Sequence, residues 1–262
     1  MQKKPAKLRI KSAKPSKLVI GNWKMHGDVA MAEPLLATIA SGCAGLSRIQ
    51  VVVCPSFPYL GLAAARLAGT ALAWGAQSVA SCANGALTGE VSATMLADLR
   101  CRFVLIGHSE RRALFGETDA LVALKITQAL SAGLTPVICV GETLSQRAAG
   151  DIDSVIGGQL LAALAVVGKQ SQFVIAYEPV WAIGTGQTAS PEQAQSVHAM
   201  IRGVLKAQGF AAQSVPILYG GSVKASNAEA LFAMNDIDGG LIGGAALNSL
   251  EFLAICTAAQ AA

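Results

Sequence analysis

FVIAYEPVWAIGTGQTA, residues 173–189, changes character at Glu178. Phe173 to Tyr177 is a short apolar run without polar alternation, which predicts a strand buried on both faces. Beyond Glu178, Pro179 stiffens one end of the segment, and Gly184 and Gly186 loosen the other. Trp181 and Ile183 are too apolar for an ordinary surface loop. A lone carboxylate at a strand's carboxyl end, beside a greasy flap with stiff and loose ends, is the arrangement of a base under a lid. Lids keep water away from reactive intermediates.

The same kind of strand recurs along the chain. Leu18–Ile20, Ile49–Cys54, Ala71–Trp74, Phe103–Ile106, Pro136–Val140, Phe173–Tyr177, Val215–Tyr219 and Gly239–Ile242 are short, apolar and rich in β-branched residues. Amphipathic helical segments lie between them. Ser190-Pro191-Glu192-Gln193 predicts a helix start with Ser as N-cap and Gln closing a capping box. Thr118–Ala132 predicts a helix stopped by Gly133, and Leu231–Met234 a shorter one. Eight strand–helix units in one chain predict an α/β fold, a single-domain (β/α)₈ barrel over residues 18–262, since such barrels take ~250 residues. A doubly wound open sheet would carry a G-x-G-x-x-G turn after its first strand. The turn here is Gly21-Asn22-Trp23-Lys24.

Composition agrees with a large core. Apolar residues make up 53% of the 262 and charged residues 14%. The net charge of +4 is concentrated at one end. Residues 1–17 hold seven Lys/Arg and no acid, leaving 13 basic against 16 acidic residues, a net −3, in the rest. That balance gives the body no overall field for nucleic acid. Residues 1–17 read as a basic, solvated, disordered arm. No apolar core precedes Leu18 to make a secretory signal, and no apolar run reaches the ~18 residues of a membrane span. The six scattered cysteines lack zinc spacing, so reduced, buried thiols of a cytoplasmic protein are expected rather than disulfides or a metal.

Catalytic groups in barrels sit where strands end. The first strand delivers Asn22 and Lys24, whose spacing within a strand places both side chains on one face. The fourth delivers His108 and then Ser109-Glu110-Arg111-Arg112. The sixth delivers Glu178, the seventh Gly220-Gly221-Ser222, the eighth Gly243-Gly244. The glycine turns lead into short helices, and exposed N–H groups there suit one phosphate group. His108 opens a helix, whose positive end disfavours imidazolium, so a neutral donor is expected. His198 reads as a packing or surface residue and His26 as solvated. Arg111, Arg112 and Glu117 read as a structural charge network, and Glu110 is placed to position Lys24.

Together these residues resemble the triosephosphate isomerase family. GNWKM (Gly21–Met25), AQ followed by GALTGE (Ala76–Glu90), IGHSERR (Ile106–Arg112), AYEPVWAIGTG (Ala176–Gly186), YGGSV (Tyr219–Val223) and IGGAAL (Ile242–Leu247) appear in the family's order, from about Lys17 to the carboxyl terminus. The resemblance implies interconversion of dihydroxyacetone phosphate and glyceraldehyde 3-phosphate in glycolysis and gluconeogenesis, without cofactor or metal. It implies Glu178 as base, His108 as electrophile, Lys24 and Asn22 as electrostatic partners, and Gly184, Ser222, Gly243 and Gly244 at the phosphate. Ser109 and Glu110 would support them. It further implies a homodimer in which the loop Cys82–Glu90 carries Thr88 to the partner's site. Departures from the family's common pattern are His26, Ser78, Gln187 and Ala246. The basic arm has no usual counterpart.

Two other readings give distinct expectations. A Schiff-base aldolase would need a lysine deep on a middle or late strand, and the strands from Phe103 to Tyr177 have none. A binding module acting through residues 1–17 would lose its activity on removal of that arm, whereas the barrel reading leaves turnover intact.

Overall fold

A computed structural model describes residues 17–183 and 188–262. Eight parallel strands close into a barrel in sequence order. They are β1 (Lys17–Asn22), β2 (Ile49–Cys54), β3 (Ala73–Ala76), β4 (Phe103–Ile106), β5 (Thr135–Val140), β6 (Val174–Tyr177), β7 (Ile217–Tyr219) and β8 (Gly239–Ile242). Closure is made by β1 on β8, with Leu18 opposite Gly239. The helices α1 (Val29–Gly42), α2 (Leu60–Leu67) and α3 (Ala93–Asp98) follow β1 to β3. The short α4 (Ser109–Phe115) and longer α5 (Asp119–Ser131) follow β4, and α6 (Leu144–Ala148) and α7 (Ile152–Leu164) follow β5. Last come α8 (Pro191–Ala207), α9 (Ala225–Phe232) and α10 (Ser249–Ala261).

The strands read as continuously apolar because both faces are covered. Leu18, Ile20, Val52, Cys54, Leu105, Cys139 and Leu241 belong to an inner cluster that fills the barrel. Their neighbours Val19, Val51, Val53, Val104, Ile106, Ile138 and Ile242 belong to the larger layer beneath the helices. Period-two alternation therefore distributes one apolar run between two cores. The helix signals also hold. Ser190 caps α8 with the reciprocal Gln193 contact and Pro191 in the first turn. Thr118 caps α5, and Gly133 takes the left-handed φ of +77° that ends it.

Several boundaries differ from the sequence reading, three of them for reasons the structure shows. β3 begins at Ala73 and runs through Gly75 to Ala76, two residues later than its apolar run. Gly75 is needed inside the strand because a Cβ there would lie 2.5 Å from the Phe103 carbonyl oxygen. Of Leu231–Met234 only Leu231 and Phe232 are helical, the last residues of α9, which starts at Ala225, where Asn227 Oδ1 accepts from Lys224 N–H. Lys17, counted with the arm, is the first residue of β1 and is buried, its Nζ donating to the carbonyls of Phe232 and Ile237. The rest of the expected arm, residues 1–16, lies outside the described residues. No described helix is long and apolar enough to cross a membrane.

Candidate active site

The strand exits enclose a cavity of about 390 Å³ whose lining includes Asn22, Lys24, His108, Glu178, Ser222, Gly243 and Gly244. Seven expected site residues from five strands thus meet in one place.

Glu178 follows β6 directly and is 1% exposed. Its N–H donates to the Val140 carbonyl at 2.8 Å, which ties the residue to the end of β5. Oε2 accepts from the Ser109 N–H at 2.8 Å. Oε1 lies 2.9 Å from His108 Nε2, so the carboxylate is held between the Ser109 N–H and the imidazole.

His108 is the N-cap of α4, and its Nδ1 accepts from the Glu110 N–H at 3.2 Å. That contact leaves the neutral ring's proton on Nε2, the nitrogen facing Glu178. Burial pushes imidazolium down, while the carboxylates of Glu178 and then Glu110 push it up, and the net direction is up. The neighbouring carboxylates thus oppose the helix end, which alone favours the neutral ring. Nothing in the local sequence measures how near the base lies to the ring.

Lys24 reaches the cavity by another route than expected. β1 ends at Asn22, and Lys24 sits beyond it with a left-handed φ of +53°. A turn, not strand alternation, brings the two together. Asn22 Oδ1 accepts from Lys24 N–H at 3.0 Å, so the Asn22 amide NH₂ is the end left to donate. Lys24 Nζ pairs with Glu110, as expected. Also lining the cavity, Gly221, Ser222, Gly243 and Gly244 have N–H groups with no partner among the described residues. Four unengaged donors near a lysine form an anion cradle.

The charge network is structural. Glu117 is buried and bonded to Arg111 and Lys125, and Lys125 also donates to Ser78. Burial raises the Glu117 carboxyl, but Lys125 and Arg111 outweigh it and hold it below the usual range. Arg112 binds Asp119 and the Gly107 carbonyl. His198 is fully buried, and His26 is exposed although it borders the cavity. Thr88 is exposed and does not line the cavity. Of the flap, Val180–Ala182 forms a 3₁₀ turn and Ile183 lines the cavity, whereas Gly184 and Gln187 lie outside the described residues.

Three further residues escape the sequence reading. Gln77 Nε2 donates to the carbonyls of Lys24 and Cys54, both at 2.9 Å. Ser56 Oγ also donates to the Lys24 carbonyl, at 2.9 Å. Glu142 is wholly buried and accepts from Tyr177, Trp181 and Arg147. They follow β3, β2 and β5. The strand-end rule that finds the other groups applies to these strands too, and is the signal that could have found them.

The profile of the triosephosphate isomerase family matches residues 17–259. Triosephosphate isomerase of Thiobacillus denitrificans is 56% identical over 246 residues, covering 93% of this chain and 98% of that protein. That of Cupriavidus taiwanensis is 56% identical over 242 residues, with 91% and 98% coverage. That of Nitrosomonas europaea is 52% identical over 245 residues, with 92% and 97% coverage. With an eight-stranded barrel and a family match over nearly its whole length, the chain belongs to the triosephosphate isomerase family and interconverts dihydroxyacetone phosphate and glyceraldehyde 3-phosphate, a step of glycolysis and gluconeogenesis.

Proposed function

We propose that Glu178 is the base that carries a proton between C1 and C2 of the triose phosphate. The observation that carries this reading is its carboxylate, buried at the cavity with Oε2 held by the Ser109 N–H and Oε1 against the His108 ring. A carboxylate fixed in place at the cavity wall, beside an imidazole, is poised to take a carbon-bound proton. A glutamate base paired with a neutral histidine is already the established pattern for this reaction, and it is carried over here to Glu178 and His108. His108 donates from Nε2 to the carbonyl oxygen and relays protons between the two oxygens. Its upward shift is caused by Glu178, so turning that carboxylate toward carbon favours the neutral ring. Lys24 and the Asn22 amide stabilise the enediolate. Ser222, Gly243 and Gly244 hold the phosphate through N–H groups, and Gly184 adds another from the flap. Ser109 and Glu110 keep Glu178 and Lys24 in place. Proton transfer alone balances the reaction.

We also infer a cytoplasmic homodimer. The loop Cys82–Glu90 has its base tied by the Ala80 N–H to Val91 carbonyl bond, and its Leu87 is 50% exposed. A tied loop with an exposed leucine suits docking on a second copy, with Thr88 approaching the partner's cavity. Six free thiols, five of them buried, suit a reducing compartment.

The test is a coupled isomerase assay on wild type and Glu178→Asp. The shorter side chain withdraws the carboxylate by about one methylene, and a misplacement near ~1 Å costs roughly 100-fold. A large fall in kcat with a smaller change in KM is expected. Equal turnover would remove Glu178 as the base.

A further inference from the structure

The base rests on the end of β5, and a side chain that does not border the catalytic cavity holds that end. Gly141 follows β5 directly. Its backbone lies so close to Glu178 that a Cβ would fall 1.8 Å from the Glu178 carbonyl oxygen. The residues beside it are bonded to the same segment, Val140 accepting from Glu178 N–H at 2.8 Å and the Glu142 carbonyl from Val180 N–H at 3.1 Å. Gln159 on α7 grips Gly141 through both backbone groups. Its Oε1 accepts from Gly141 N–H at 2.8 Å, and its Nε2 donates to the Gly141 carbonyl at 3.1 Å. Gln159 also lines a second cavity of about 310 Å³, which shares Glu178 with the first and gives a released Gly141 somewhere to move.

We propose that Gln159 is a positioning residue for the Glu178 carboxylate, acting through its paired hydrogen bonds to Gly141. This rests on Glu178 being the base. The glutamine amide supplies a donor and an acceptor side by side at neutral pH, matching the N–H and carbonyl of one residue. A carboxyl supplies both only when protonated. Leucine supplies neither at similar size.

The test compares full-length Gln159→Leu, Gln159→Glu and Glu178→Asp with wild type in the isomerase assay. Gln159→Leu lowers kcat roughly tenfold, because a displacement well below an ångström suffices for that loss. KM and the inhibition constant of inorganic phosphate stay within about twofold, because the phosphate cradle is untouched. The activity of Gln159→Glu relative to wild type rises as pH falls, when the protonated carboxyl again donates to the Gly141 carbonyl. That trend needs only wild type and Gln159→Glu, so it serves even where Gln159→Leu does not fold. Unchanged kcat in Gln159→Leu, phosphate inhibition weakening in step with kcat, or a pH-independent Gln159→Glu ratio overturns the proposal. Full turnover by Glu178→Asp removes the base reading and the proposal with it. A slow Glu178→Asp beside a normal Gln159→Leu removes the proposal alone.

Discussion

At the amino-terminal end of the strands, Lys17, Arg202 and Asp238 are buried and bonded through opposite charges and backbone groups; at the carboxyl end, Glu178 is buried just as deeply but its carboxylate meets only the Ser109 N–H and the His108 ring. Lys17 Nζ is bonded to two carbonyls. Arg202 binds Asp236 and Asp238 and the carbonyls of Ala212 and Val215. Asp238 also accepts from the Ile217 N–H. The same barrel thus uses ionic groups in two ways. Where the charges are paired and tied to backbone groups, the cluster locks strand ends together. Where an amide and four N–H groups are left over, the deficit is the shape of a ligand.

The largest effect expected from this comparison is at the matched end. Arg202→Met keeps most of the apolar stem but strands Asp238, which is 3% exposed. Breaking a buried pair by removing one partner costs about 3–5 kcal/mol. Urea unfolding at fixed protein concentration should show that loss, with kcat of the folded fraction unchanged. A cost below about 1 kcal/mol would mean that the lower cluster is not the lock described here. At the unmatched end the signs reverse. Lys24→Ala should fold with near-normal stability and lose roughly 100- to 1,000-fold in kcat, the scale for removing one preorganised charge-stabilising donor. Full activity in that variant would refute the electrostatic role of Lys24.

His198 lies between these cases. It is fully buried, packs edge-on to Tyr177, and has a paired Nδ1 and an unpaired Nε2. Burial pushes its imidazolium down to about 4. The unfolded chain binds a proton below its ordinary value of 6.5 while the folded chain does not, so stability falls as pH falls. The loss is absent above pH 6.5, reaches about 2 kcal/mol at pH 5 and levels near 3 kcal/mol below pH 4. His108, shifted up, acts in the opposite direction: it adds stability below pH 6.5 that disappears as pH rises through its folded value. Comparing wild type with His198→Gln isolates the first effect. The variant should lose less stability between pH 7 and 5 than wild type, and equal slopes would show that the buried ring is not what titrates.

What the sequence could reveal follows from the same division. Strand identity was legible because burial on both faces leaves an unbroken apolar run, and β3 slipped by two residues only because Gly75 looks like a breaker. Glu178, His108 and Lys24 were legible as polar groups at the ends of apolar strands. The path of Lys24 was not, since a non-glycine residue with a positive φ leaves no mark in composition. Nor was the downward and upward balance at His108, which depends on a 2.9 Å contact between residues 70 positions apart. The matched end was the least visible. Lys17 read as part of a basic arm, and Arg202 as an unremarked helix residue, because their partners are mainly carbonyl groups supplied by distant turns.

The smallest effect expected is the most specific to the site. A left-handed φ at a non-glycine residue costs about 1–3 kcal/mol and persists only where its surroundings enforce it. At Lys24 that enforcement comes through its carbonyl, which receives one hydrogen bond from Gln77 and one from Ser56. Removing one of the two donors in Gln77→Ala should let the turn relax and carry Nζ out of place, lowering kcat/KM roughly tenfold, about 1.4 kcal/mol. If the loss runs through Lys24, the same substitution made in Lys24→Ala should slow the enzyme no further, since there is no ammonium left to misplace. Independent losses that multiply in the double variant would instead assign Gln77 to its other bond, the Cys54 carbonyl at the end of β2, and would make it a support of the barrel rather than of the lysine.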